Sequence, residues 1–240
     1  MESIGEARES RGALSWVARD GRTSSLARHP FRWVLAKQIF DLTCSLVLLL
    51  LVAPLLAAVA LAVRLSSPGP MLFVQSRIGK NGKAFSMYKL RTMYAGSDMG
   101  SDVEIHRAYV RALINGVAEP SDGAFKLTDD PRVTPLGRVL RRFSLDELPQ
   151  LFNVLKAEMS LVGPRPPLLY EVELYSAREH ARLAVSPGLT GLWQISGRSE
   201  LTFQQMVDLD LDYIQRWSVW LDLKILFVTP LAVIKGRGAC

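Results

Sequence analysis

The sequence predicts an α+β, mainly helical fold: a membrane protein whose small cytosolic domain contains a β-hairpin. Three observations predict it: an uncharged apolar run at 42–63, basic residues on both flanks of that run, and two strand-like runs joined by Asn81-Gly82. A hydrophobic fraction of 49% with 22% charged residues excludes a disordered or collagen-like chain. We expect a polar leader at 1–30, a membrane helix at 31–66 and a cytosolic or interfacial domain at 67–240.

The membrane segment is the first element to justify. A 22-residue helix is about 33 Å long, which matches the hydrocarbon core of a bilayer. Its flanks, 1–41 and 64–91, carry seven and six Lys or Arg residues. Because basic flanks prefer the cytoplasmic side, a spanning helix would violate that preference at one end. Pro54 lies near the middle and breaks or bends a helix. The residues leave two interpretations open: a re-entrant helix broken at Pro54, or a kinked single span.

The β-hairpin is predicted from runs at 71–78 and 84–93, because Asn-Gly tolerates the positive φ angles of a tight turn. Alternation places Phe85, Met87, Lys89 and Arg91 on one face of the second strand. Two cations so spaced can bind neighbouring phosphates, although a solvated strand face explains them equally simply.

Four helices are predicted in the rest of the chain. One lies near 103–115, one at 139–155 and one at 203–217, where Thr202 and Gln205 form a capping box. The last stretch, 217–234, combines tryptophan with aliphatic residues, which suits a membrane interface or a buried core helix.

Asp146-Glu147, which follows Arg141-Arg142, is the sharpest local feature. A helix N-terminus and nearby arginines favour the ionised form of Asp146, which can then attack phosphorus or bind a divalent metal. The structural alternative is strong, because Ser144 and Glu147 have the spacing of a capping box.

Two loops are further candidates for ligand binding. In 163–167 the prolines around Arg165 hold its backbone extended, and a preset guanidinium suits bidentate phosphate recognition. The Gly-rich stretch 187–198 can let backbone approach a ligand closely. Either could equally be a plain loop.

Taken together, these segments resemble the bacterial sugar transferase family, the small monotopic polyprenyl-phosphate phosphoglycosyl transferases. The similarity covers most of the chain, from about 37 to 238, and lies in the blocks 37–41, 75–79, 88–93, 130–137, 144–154, 160–166, 187–194 and 220–224.

The resemblance implies transfer of a sugar 1-phosphate from a UDP-sugar to undecaprenyl phosphate with release of UMP, the first step of surface-glycan synthesis. It makes Asp146 the nucleophile that forms a phosphosugar–aspartate intermediate, and gives Glu147 a share in holding Mg²⁺. It assigns Lys89, Arg91, Arg141 and Arg165 to phosphate groups, and Asp210 and Asp222 to supporting the site.

The resemblance also favours the re-entrant helix, on the cytoplasmic face of the bacterial inner membrane. Some members have Ser before the helix-breaking proline; here that residue is Ala53, so the break depends on Pro54. The sequence around 191–194 is closer to members that transfer hexose 1-phosphates. No nucleic-acid partner is expected, and a homo-oligomer is compatible with the resemblance.

Two rival functions follow from the same residues. One is a membrane-anchored lipid-binding or scaffold module without catalysis, in which the basic residues only hold anionic lipid. The other is a glycosidase, which is disfavoured because its two carboxyl groups face each other across a sugar and are not sequence neighbours.

Overall fold

The computed structural model describes residues 31–96, 107, 108, 110–112, 114, 130–198 and 201–234. The predicted leader at 1–30 lies outside the described residues, as does part of the predicted helix near 103–115. Within the described residues the fold is mainly helical with two small sheets, as predicted.

Helix α1, Phe31–Ser66, is long and apolar enough to cross a membrane. Leucine and valine side chains are exposed along much of it, including consecutive ones such as Leu50 and Leu51, while Asp41, Ser45 and Val63 are buried. The predicted break at Pro54 is not seen: helical conformation continues through this residue. A proline removes one backbone hydrogen bond and crowds the preceding turn, which a helix can accommodate by bending.

The hairpin is confirmed. Strands β1, Leu72–Ile78, and β2, Ala84–Leu90, pair antiparallel from Leu72 opposite Leu90 to Ile78 opposite Ala84. Asn81 and Gly82 form the turn with φ angles of 56° and 74°, the positive values that the Asn-Gly pair predicts.

The single helix predicted at 139–155 is wrong, because the structure divides it into three pieces. Helix α2 spans Pro135–Arg142 and is capped by Thr134, whose hydroxyl accepts a hydrogen bond from the Gly137 amide. A 3-10 turn, Leu145–Glu147, follows, and helix α3 spans Gln150–Leu155. Ser144 causes the interruption, since its φ of 53° lies in the left-handed region and cannot continue a right-handed helix.

A short parallel sheet is formed by β3, Ser160–Val162, and β4, Gly188–Thr190. Their backbones are very close: a Cβ on Gly188 would lie 2.1 Å from the Gly163 nitrogen. Gly188 lies in the Gly-rich stretch 187–198, which was expected to let backbone approach a ligand. In the structure it instead allows close packing of that stretch against Gly163 of the same chain. Between these strands lie three short elements: α4, Leu169–Val172; α5, Ala177–His180; and a 3-10 turn, Ala181–Ala184.

Three helices complete the chain: α6, Leu192–Ser196; α7, Phe203–Arg216; and α8, Val219–Ile234. The Thr202–Gln205 capping box at the start of α7 is confirmed. In α8, Asp222 and Ile225 are buried while Trp220 and Phe227 are each 78% exposed. Helix α8 is therefore partly core and partly exposed apolar surface, which combines the two interpretations of its sequence.

Both ends of α1 are fixed to the rest of the protein. Near its start, the Lys37 ammonium lies 2.7 Å from the Asp222 carboxylate, and the Ser160 hydroxyl donates a 2.7 Å hydrogen bond to Asp41. Near its end, the Arg91 guanidinium donates to the Val63 and Ser67 carbonyl oxygens at 3.1 and 2.6 Å. The membrane helix and the domain thus form one packed unit.

Candidate functional site

A cavity of about 920 Å³ lies where the 3-10 turn Leu145–Glu147, strand β2, the 163–167 loop and α8 meet. This volume is at the upper end of the range for small-molecule sites. Lys89, Arg141, Asp146, Glu147 and Arg165 all line it. Five of the eight predicted site residues are therefore brought together.

The two carboxylates have different environments. Asp146 is buried, with 8% of its surface exposed, whereas the Glu147 side chain is 35% exposed and forms a 2.7 Å ion pair with Lys89. Among the described residues, the Ser144 hydroxyl makes no capping hydrogen bond. The helix cap, which was the structural explanation of this sequence, is therefore not formed, and a left-handed serine remains just before the acidic pair. Strained backbone of this kind concentrates at functional sites.

Arg141 is positioned at the end of α2, where its Nε donates a 3.0 Å hydrogen bond to the Thr92 hydroxyl. Burial lowers the pKa of Arg141, while the nearby carboxylates of Asp146 and Asp130 raise it. The guanidinium stays charged and places positive charge beside Asp146. A cation at this position can stabilise the negative charge of a phosphate group that Asp146 attacks.

Arg77 is a residue of this cavity that the sequence did not identify. It projects from β1, is 7% exposed, and donates hydrogen bonds to the Pro166 carbonyl at 3.1 Å and to Gln75. Burial, and next the neighbouring Arg165 guanidinium, lower the pKa of Arg77 to about 10. Two close guanidinium groups repel each other, and a bound anion relieves that repulsion. The alternation of side chains along β1 could not indicate this contact, because the partner, Pro166, is 89 residues away in the sequence.

Arg198 is the second cavity residue that was missed. It follows Gly197, has a φ of 51°, and donates through Nε to the Gln194 carbonyl at 3.2 Å. Burial lowers its pKa, and the Glu147 carboxylate opposes that shift. The available signal was a Gly-Arg pair at the end of the Gly-rich stretch.

Three predicted residues lie outside the cavity lining. The Arg91 guanidinium holds the end of α1 and the loop after it, through the carbonyl oxygens of Val63, Ser67 and Pro68. Asp222 binds Lys37, Tyr213 and Trp217, so it connects α1 to α7 and α8. Both residues thus make contacts within the protein, and the phosphate contact of Arg91 and the supporting role of Asp222 stay predictions.

Asp210 is buried outside the cavity lining and paired with Arg182, whose guanidinium is 2.7 Å from its carboxylate. Burial raises the pKa of Asp210 to about 6, against the lowering effects of Arg182 and of the backbone amide and side chain of Arg165. The Arg165 loop is therefore close enough to influence this carboxylate, and the supporting role of Asp210 stays a prediction.

The acidic side chains fit a magnesium ion only in part. Among the described residues, no group of three or more His, Cys, Asp or Glu side chains is placed to hold a metal. Mg²⁺ commonly binds through one or two carboxylates together with substrate phosphates. Asp146 and Glu147 fit that pattern, in which the substrate completes the coordination.

Comparison with known proteins finds related sequences over most of the chain. Residues 32–236 match the model of a family described as bacterial sugar transferase. The chain is 44% identical over 206 residues to the exopolysaccharide production protein ExoY of Rhizobium meliloti, covering 85% of this chain and 88% of ExoY. It is 47% identical over 231 residues to the undecaprenyl-phosphate glucose phosphotransferase of Komagataeibacter xylinus, covering 89% of this chain.

A third relative is the undecaprenyl-phosphate galactose phosphotransferase of Salmonella typhimurium, 39% identical over 216 residues and covering 90% of this chain. The alignments cover 39% of the Komagataeibacter protein and 44% of the Salmonella protein. This chain therefore spans less than half the length of both phosphotransferases.

Proposed function

This chain belongs to the bacterial sugar transferase family, and we propose that it transfers a hexose 1-phosphate from a UDP-hexose to undecaprenyl phosphate, releasing UMP. The observation that carries the proposal is the buried Asp146 beside Arg141, in a cavity that is lined by both basic and apolar side chains. A hexose is supported by relatives named as glucose and galactose phosphotransferases.

In the first half-reaction, a carboxylate oxygen of Asp146 attacks the phosphorus that carries the sugar. The new bond joins this oxygen to phosphorus, the diphosphate P–O bond breaks, and UMP leaves with the electron pair. Negative charge accumulates on the phosphoryl oxygens and on the leaving group. Lys89, Arg141 and Arg165 line the cavity where that charge develops, and such fixed cations lower the barrier.

In the second half-reaction, an oxygen of the acceptor phosphate attacks the same phosphorus. The bond to Asp146 breaks, its carboxylate is regenerated, and the product is a polyprenyl diphosphate sugar. No proton has to be removed from an ionised acceptor phosphate, so the mechanism needs no general base in this step. One cavity can serve both substrates in turn because the sugar phosphate remains on Asp146 between them.

Magnesium is proposed to bind at Glu147 together with the substrate phosphates. When bound, it supplies charge neutralisation that lets a carboxylate approach an anionic diphosphate. The ion pair with Lys89 holds the Glu147 carboxylate at the wall of the cavity.

The membrane helix is proposed to be re-entrant, with the domain on the cytoplasmic face of the inner membrane. The contacts of Lys37 and of Val63 with the same domain are 26 residues apart, about 39 Å along a straight helix, which exceeds a hydrocarbon core of about 30 Å. A helix crossing the bilayer would place these two contacts on opposite sides. Pro54, a residue type that favours bending of a helix, together with basic flanks at both ends supports entry and exit on one face.

The test is release of UMP from UDP-glucose or UDP-galactose by the full chain in detergent or nanodiscs. We expect UMP release that needs undecaprenyl phosphate for multiple turnovers and that stops when Mg²⁺ is chelated. No UMP from a panel of UDP-sugars would contradict the proposal and favour a lipid-binding scaffold.

A further inference from the structure

Part of the apolar lining of the cavity comes from one stripe of α8 and from one residue of α1. Leu223, Phe227, Pro230 and Ile234 follow each other at intervals of four, three and four residues, which places them on one face of the helix. Leu48 of α1 lines the same cavity. We call the space between Leu48 and this stripe the α1–α8 groove.

The groove is open to the outside along the membrane helix. Phe227 and Ile234 line the cavity yet are 78% and 71% exposed, and Leu48 is 40% exposed. Beside Leu48, the helix exposes the apolar side chains of Leu46, Val47, Leu50 and Leu51. A molecule in the groove can therefore reach the surface of α1 that contacts lipid without passing through water.

The groove and the charged groups belong to the same cavity. Thr229 of α8 forms a 2.9 Å hydrogen bond with Thr190 of β4, and both residues line the cavity. This contact fixes α8 against the strand next to the 163–167 loop. The same cavity is thus lined by cationic side chains such as Lys89 and Arg165 and by apolar side chains that reach the protein surface.

We propose that the α1–α8 groove binds the isoprenoid chain of the acceptor lipid and presents its phosphate to Asp146. The inference rests on the proposed function and adds a binding subsite to it. An apolar chain with one terminal phosphate matches a cavity lined by both apolar and cationic side chains. The uridine and sugar of the donor are a poor match, because their hydroxyl and amide groups would lose hydrogen bonds to water against leucine side chains.

The experiment compares Phe227→Ala with Trp220→Ala in the full chain in nanodiscs. Both side chains are apolar, lie on α8 and are 78% exposed, but only Phe227 lines the cavity. We expect Phe227→Ala to raise the KM for undecaprenyl phosphate about tenfold, the size of one lost aromatic contact. We expect Trp220→Ala to leave that KM within about twofold of wild type.

Two further readouts separate this subsite from the rest of the reaction. The burst of UMP released without acceptor should be unchanged in Phe227→Ala, since the donor does not contact the groove. The preference of the wild type for undecaprenyl phosphate over geranyl phosphate should fall in Phe227→Ala, and in Ile234→Ala as a second variant on the same stripe.

An unchanged KM and chain-length preference in both variants would overturn the proposal. So would equal effects of Phe227→Ala and Trp220→Ala, because these would indicate general contact of α8 with bilayer phospholipid. Absence of UMP release by the wild type would instead contradict the proposed function itself, so the two failures are distinguishable.

Discussion

Asp146 and Glu147 are neighbours in sequence but not in environment. Asp146 is 8% exposed and lies beside Arg141, whereas Glu147 is paired with Lys89 near the opening of the cavity. Two carboxylates held in different surroundings can take different roles. Under the proposed function, Asp146 is the nucleophile and Glu147 the ion-binding residue.

Substitution of Glu147 should lower the rate of UMP release to an extent that depends on the Mg²⁺ concentration. We expect Glu147→Gln to raise the Mg²⁺ concentration needed for half-maximal UMP release, because it removes one anionic ligand while Asp146 remains. The measurement is a Mg²⁺ titration of initial rates. An unchanged Mg²⁺ requirement would contradict the assignment.

Arg91 and Arg165 should differ, although the sequence suggested similar roles for both. We expect Arg165→Ala to raise the KM for the UDP-sugar at least about tenfold, because a buried phosphate loses a charged partner. Arg91→Ala should instead lower the thermal unfolding temperature, since three carbonyl groups at the end of α1 lose their donor. A raised KM in Arg91→Ala without loss of stability would show that Arg91 binds substrate.

At the scale of elements, the hairpin turn could be predicted from the sequence, whereas the division of the 139–155 helix and the long-range contact of Arg77 could not. The hairpin turn depends on the φ angles of Asn81 and Gly82 alone, so it could be predicted. The helix at 139–155 could not, because its apolar period continues across Ser144 while one residue in a left-handed conformation divides it. Arg77 was missed for the complementary reason, that its partner Pro166 is distant in sequence.

The sheet of β3 and β4 depends on glycine through close backbone packing. We expect Gly188→Ala to destabilise the protein by about 3 kcal/mol or more, because the new Cβ would lie 2.1 Å from the Gly163 nitrogen and neither backbone can yield cheaply. Gly96→Ala is the matched control. Its φ is +81° but nothing lies within 4 Å, so we expect a loss of about 1 kcal/mol. Thermal unfolding of the two variants in the same detergent compares them, and equal losses would contradict the packing argument.

Helix α1 determines the membrane topology of the proposed enzyme. If both of its ends lie on one side, tags at residues 1 and 240 should both be digested by protease added to inside-out membrane vesicles and both be protected in right-side-out vesicles. The physical reason is that Lys37 and Arg91 hold the two ends against one domain. Opposite accessibility of the two tags would establish a single span.

For the whole molecule, the apolar and basic residues serve one arrangement. The apolar excess is concentrated in α1 and continues on α8, while Lys89, Arg141 and Arg165, together with Arg77 and Arg198, surround the acidic pair. Most of the site could be predicted from the motifs because its residues lie in short sequence blocks. The two additional arginines could not, since only the fold shows which side chains face the cavity.

The central claim is that Asp146 carries the sugar phosphate between the two half-reactions. Intact-protein mass spectrometry after incubation with a UDP-hexose and Mg²⁺, without acceptor, tests it most directly. The account predicts a mass increase of one hexose phosphate that maps to Asp146, disappears when undecaprenyl phosphate is added, and is absent from Asp146→Asn, which should also have lost turnover. Turnover by Asp146→Asn, or a wild-type enzyme that transfers the sugar phosphate without any such adduct, would contradict it.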